Sequence, residues 1–169
     1  MRAIIIGIAW VGVAMYRKIL VAYNGSPESR SALDELVRLA PGPSAEVHLA
    51  GVVHYPSAYL LAGEYVPEVA LADEREHMEG DLRDAHAVLA GKGFNVIDHL
   101  VVGEPVDVLT KLVAELGIEL LILGHPRSKS FALRWWRGSV DAVLIERVRC
   151  SILVAADAAA REPAAGPRA

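Results

Sequence analysis

Apolar residues along this chain fall into two alternating patterns, short continuous blocks and stripes of helical period. Ile19-Leu20-Val21-Ala22 is a continuous block, as in a strand covered on both faces of a parallel sheet. In Tyr23-Asn24-Gly25-Ser26-Pro27-Glu28, Asn-Gly turns the chain, Ser26 suits a helix cap, Pro27 the first helical position and Glu28 the helix dipole. Leu33, Leu36, Val37 and Ala40 then recur at helical spacing and stop before Pro41-Gly42-Pro43. Residues 46–53 (EVHLAGVV) predict a second strand, in which Gly51 leaves room for a ligand or another backbone. His48 and His54 share its parity but lie about 20 Å apart along a strand, too far to hold one metal.

A long helix is predicted over 68–90, with a buried stripe of Leu71, Met78, Leu82, Ala85 and Leu89. Its acids Asp73, Glu74, Glu76, Glu79, Asp81 and Asp84 read as a solvated face. Residues 94–102 mix Asn95, Asp98 and His99 among apolar positions, which suits an edge strand. Gly103-Glu104-Pro105 turns into a helix carrying Leu109, Leu112, Val113 and Leu116, closed by Gly117. The block from Leu120 to Leu123 stops at Gly124 and opens a loop with Arg127, Lys129, Arg134 and Arg137. That loop closes on Gly138-Ser139, before the helical pattern of Val140, Val143, Leu144, Arg147 and Val148; a last strand follows at 151–155. Five strands alternating with helices predict an α/β fold: a doubly wound five-stranded parallel sheet with helices on both faces.

In such sheets ligands collect beyond the carboxyl ends of the strands, where a helix start offers unpaired N–H groups to an anion. The stretch from Gly124 to Ser139 is therefore the candidate site, and phosphate its candidate guest. A plain strand-to-helix connection with solvated basic residues is the alternative. The chain has no GxSxG, HExxH or GxxxxGK[ST] signature and no GxGxxG after the first strand, so neither catalytic residues nor a metal set are predicted.

Charge and cysteine narrow the partners. Lys and Arg number 17 against 21 Asp and Glu, a formal net charge of -4, so the chain lacks the basic surplus of a general nucleic-acid binder. Cys150 is the sole cysteine and precedes an apolar run; it reads as a small buried hydrophobe in a reducing compartment. The 169 residues suit one domain, placed at 16–156. Residues 1–15 are an apolar extension too short to span a bilayer comfortably. Three readings stand for it: a mis-assigned upstream start that adds a non-native or dispensable extension, an ordered addition to the fold, and a secretory signal. Composition predicts a disordered tail over 157–169.

Several separated motifs now line up in one order. KILVAYNGSPESRSAL, VVGEP and LGHPR…GSV…VRCSILVA resemble the first strand and loop, the third strand and turn, and the last third of a universal stress protein of the UspA type. The resemblance runs from Lys18 to Val154. It implies strand order 3-2-1-4-5, a homodimer, a cytoplasmic stress role, and in some members ATP or another adenine nucleotide, with magnesium. Carried over by position, adenine lies near Val52 and Leu123, ribose near Tyr23 and Asn24, and phosphates on Gly138, Ser139 and Val140.

The family's ATP-binding pattern, G-x2-G-x9-G-[ST], is degenerate here. Gly124, Gly138 and Ser139 match, but Arg127 holds the middle glycine position, and ten residues instead of nine separate it from Gly138. Asn24 replaces the usual aspartate. A Cβ and long side chain at 127 hinder close backbone approach to phosphate. The leading expectation is a non-catalytic stress-response protein that dimerises through strand 151–155, with no membrane or nucleic-acid partner. A slow ATP hydrolase, and a partner-binding module with a vestigial pocket and Trp135-Trp136 at its surface, are the rivals.

Overall fold

The computed structural model describes residues 15–42, 44–54, 68–125 and 139–156. Its elements run β1 (Lys18–Tyr23), α1 (Pro27–Leu39), β2 (Glu46–His54), α2 (Glu68–Gly91), β3 (Asn95–Gly103), α3 (Pro105–Leu116), β4 (Leu120–His125), α4 (Ser139–Arg147) and β5 (Ser151–Ala156). All pairings are parallel and the order is β3-β2-β1-β4-β5, as the resemblance implies. The central strands β1, β2 and β4 are the continuous apolar blocks. The mixed segment lies at an edge and runs one residue later at each end than the 94–102 expected. Of the predicted extension only Met15 is described, 82% exposed; the predicted tail lies outside the described residues.

Strand alternation divides the core into two layers. Ile19, Val21, Tyr23, Val47, Leu49, Leu120 and Ile122 pack under α1 and α2, with Leu36, Met78, Leu82, Ala85 and Leu89 from those helices. Leu20, Ala22, Ala50, Leu121 and Leu123 pack on the other face under α3 and α4, against Leu109, Val113 and Leu144. The predicted stripes of α2 and α3 thus face the sheet, as do Leu33, Leu36 and Val37 of α1; Ala40, predicted as the last of that stripe, is exposed beyond the helix end. Burying a side chain of this size contributes about 1.5–3 kcal/mol, so these layers supply the main stabilising term.

Local chemistry sets the helix ends. Ser26 Oγ accepts from the Ser29 amide at 3.2 Å, and Ser29 Oγ donates to the Ser26 carbonyl at 2.9 Å, so α1 starts at Pro27 as its cap predicts. Ala40 ends it in the left-handed region, at φ 41°, its amide donating to the Val37 carbonyl. Gly117 closes α3 at φ 65°, with its amide on the Val113 carbonyl.

Candidate functional site

The switch point lies between β1 and β4, where the chain has wound outward to β2 and β3 on one side and returns on the other. Three connections leave the carboxyl ends of the inner strands there. The loop after β1 is described, while residues 55–67 after β2 and 126–138 after β4 are outside the described residues. Arg127 and Gly138 therefore lie outside them; α4 begins at Ser139 with Val140 next.

Val52 and Leu123 come together on the α3/α4 face, near the carboxyl ends of β2 and β4, with β1 between them. Two strand spacings and a two-residue offset along the strands separate them, about 12 Å in all. Val52 is 5% exposed and Leu123 is fully buried against the α3/α4 layer. Tyr23 is different. Its side chain belongs to the α1/α2 layer on the opposite face, where burial pushes the hydroxyl's pKa up and a hydrogen bond with Arg30 opposes that rise. Only its main chain is available to a ligand beyond Val52 and Leu123; a strand's alternation puts neighbouring side chains on opposite faces.

Asn24 is committed to its own loop. Its Oδ1 accepts from the Ser26 amide at 3.2 Å, a local turn that sets the start of α1. Gly25 follows at φ 73°, in the left-handed region where glycine is favoured, and a Cβ there would meet Asp81 Cγ at 2.7 Å. Asp81, read from sequence as part of a solvated face, thus lies against the loop, with His77 Nε2 3.6 Å from its carboxylate. Nothing in the periodicity of α2 marks this contact, because it depends on where the helix crosses the end of β1.

Gly124 has an equally specific neighbour. A Cβ built on it would collide with the Glu28 carbonyl and come within 2.7 Å of the Ser29 amide. The first turn of α1 therefore packs directly on the end of β4, and the glycine is required by backbone-to-backbone contact. Gly51 plays a similar part against α2, where a Cβ would meet Leu82 and Met78 at 2.9 Å. Farther round the rim, His54 Nδ1 lies 3.5 Å from Glu104 Oε2 and ties the end of β2 to the start of α3. Cys150 packs against the α3/α4 layer, and burial pushes its thiol pKa up, which keeps it protonated and unreactive. Among the described residues no group of three or more His, Cys, Asp or Glu is placed to hold a metal ion, and no helix is long and apolar enough to cross a membrane.

A doubly wound five-stranded parallel sheet in the order β3-β2-β1-β4-β5 defines a class of α/β proteins, and comparison places the chain in one family of it. The family model described as the universal stress protein family matches residues 15–156, and the chain belongs to that family. Universal stress protein YxiE of Bacillus subtilis is 29% identical over 147 residues, covering 83% of this chain and 99% of that protein. Universal stress protein Rv1636 of Mycobacterium tuberculosis is 30% identical over 150 residues, covering 84% and 97%. Among solved structures, hypothetical protein MJ0577 superposes with a TM-score of 0.70 at 22% identity, covering 84% of this chain and 96% of that one. A universal stress protein in complex with cAMP gives 0.57 at 23%, covering 85% and 98%. The Arabidopsis thaliana family protein At3g01520 with AMP bound gives 0.57 at 16%, covering 87% and 95%. At these identities the structural likeness concerns the fold.

Proposed function

We propose that the protein is a dimeric, non-catalytic stress-response protein of the cytoplasm that binds an adenine nucleotide at the β1/β4 switch point. The observation that carries the reading is the placement of Val52 and Leu123 on one face at the carboxyl ends of β2 and β4, with α4 starting at Ser139 after β4. Adenine sits between those two positions. Ribose meets the main chain at Tyr23 and the Asn24 loop, and the phosphates meet Gly138, Ser139 and Val140, where the first amides of α4 have no helical acceptor. Gly124 and Arg127 border the phosphate path. Magnesium, where present, arrives on the phosphates. The fold neighbours with cAMP and AMP support an adenine ligand for this shape of crevice.

Binding without turnover follows from what the site offers. Phosphoryl transfer needs charge stabilisation and a positioned nucleophile, and among the described residues no group of three or more His, Cys, Asp or Glu is placed to hold a metal ion that would supply the first. After incubation with ATP, native mass spectrometry should find two chains carrying intact ATP. Accumulation of ADP on the wild type above a Ser139→Ala control would favour the slow-hydrolase reading instead.

One observation favours a second reading. Gly124 is a glycine because α1 packs on it, so its match to the family pattern carries no information about phosphate. With Arg127 in the middle glycine position, a partner-binding module with a vestigial pocket is the competing account. It retains mass as two chains but no nucleotide in the same experiment.

A further inference from the structure

The amino-terminal half of the sheet carries a polar chain that the nucleotide reading leaves unused. Lys18 Nζ donates to the Leu116 carbonyl at 3.1 Å and lies 3.7 Å from Glu46 Oε2. The same Glu46 oxygen is 3.8 Å from His48 Nε2, and His48 Nδ1 is 2.9 Å from His99 Nε2. Four elements are joined in this way, from the end of α3 through β1 and β2 to the edge strand β3. His48 is 4% exposed, and the two rings sit 5.1 Å apart on the α3/α4 face. They are diagonal neighbours, since His48 lies opposite Ile97 and His99 opposite Ala50.

Two neutral imidazoles make this contact in one way: one ring nitrogen donates its hydrogen and the other accepts it. A first added proton goes to an outward nitrogen, and the buried His48 Nε2 has the Glu46 carboxylate 3.8 Å away. A second makes both facing nitrogens donors, and the bond is lost. We propose that His48 and His99 form an acid-sensitive latch, which fastens edge strand β3 to the sheet while the rings are neutral and releases it when they charge. The inference concerns the other end of the sheet and stands whether or not a nucleotide binds.

The electrostatics act in the direction the latch needs. Both rings are held below the ordinary histidine value of 6.5, in each case chiefly by burial. For His48, repulsion from His99 and Lys18 adds to the depression, while Glu46 opposes it. For His99, Asp98 opposes it from the other face of β3, where that carboxylate is bonded to His86 at 2.8 Å. The apolar stripe of α3 covers this face, reaching the chain through the Leu116 carbonyl. Because the folded values lie below the unfolded one, the pair's contribution is complete above pH 6.5 and is lost as pH falls below it. The two rings titrate as one coupled unit.

Release would not stay local. β3 pairs with β2 along its whole length and leads through Gly103-Glu104-Pro105 into α3, the cover of the layer that holds Leu123. Amide hydrogen exchange on the full chain at pH 7.5 and pH 5.5, corrected for the intrinsic pH effect, tests the latch. Protection of residues 95–103 relative to β1 should fall about three- to tenfold at the lower pH, each pH unit of displaced titration being worth about a factor of ten. With His48→Gln and His99→Gln combined, which keeps hydrogen-bonding groups that cannot charge, the ratio should hold steady. A ratio unchanged in the wild type, or falling equally in the variant, overturns the latch. Should the variant not fold, nitrogen-15 imidazole spectra of the wild type decide. Rings that titrate together below 6.5 support it, and rings that titrate independently at the ordinary value refute it.

Discussion

Replacing Gly124 with alanine should lower the stability of the fold by about 3 kcal/mol, near the upper end of what overpacking costs in a well-filled interior. The added Cβ meets the Glu28 carbonyl and the Ser29 amide, both backbone atoms, so no side chain can rotate away. Relief requires α1 to lift from β4. That movement also disturbs the Ser26 cap and the Asn24 turn, whose hydrogen bonds at 3.2 Å fix the loop beside the site. For a domain of this size, such a loss shifts the thermal midpoint by roughly 6–12 °C. A melt of Gly124→Ala within a degree of the wild type would show that the helix adapts freely and that the packing account of this glycine is wrong.

Val154→Lys should convert the dimer to a monomer. β5 is an edge strand bonded only to β4, with the sequence SILVAA and no charge or proline to guard its open side. The opposite edge, β3, carries Asp98 and His99 and is guarded. In the proposed dimer, pairing of β5 with a two-fold copy would close the unguarded edge in an isologous contact. Val154 is 44% exposed, whereas Leu153 packs against the α1/α2 layer, so a charge at 154 tests the interface and spares the core. Like charges brought face to face cost several kcal/mol, and about 3 kcal/mol is already more than a hundredfold in affinity. Sedimentation should show monomer with an unchanged melting profile at low concentration. A variant that remains dimeric places the interface elsewhere.

Much of this architecture was readable in the residues because the signals are local. The apolar blocks at Ile19–Ala22 and Leu120–Leu123 could only be central strands, and Ser26-Pro27-Glu28 fixed the start of α1. The edge position of β3 followed from its polar admixture. Of the positions that the family motifs assign to the ligand, Val52 and Leu123 do share a face. What the sequence concealed depends on register and crossing geometry. Tyr23 turns away from that face, Asp81 reaches the Gly25 loop across the end of β1, and Gly124 answers to α1. His48 shares a strand with His54, but its partner is His99 on the next strand. No periodicity within a strand shows what lies opposite it.

The central claim, an adenine nucleotide with its phosphates on the start of α4, sets two opposing terms against each other. Arg127 in place of glycine costs about 1–3 kcal/mol in strain or displacement. Against this stand Arg127, Lys129, Arg134 and Arg137 in the sequence between Gly124 and Ser139: a cation from among them that reached the phosphates would contribute about 1.5–3 kcal/mol, eroded by ordering entropy and salt. Affinity should therefore survive, weakly, and depend steeply on ionic strength. Calorimetric titration of ATP, AMP and cAMP at low and at moderate salt, on the wild type and on Gly138→Val, tests this most directly. The account predicts binding to the wild type that weakens about tenfold on adding salt, and no heat from the variant. A wild-type dimer that stays folded yet gives neither heat nor a thermal shift at either salt would contradict it.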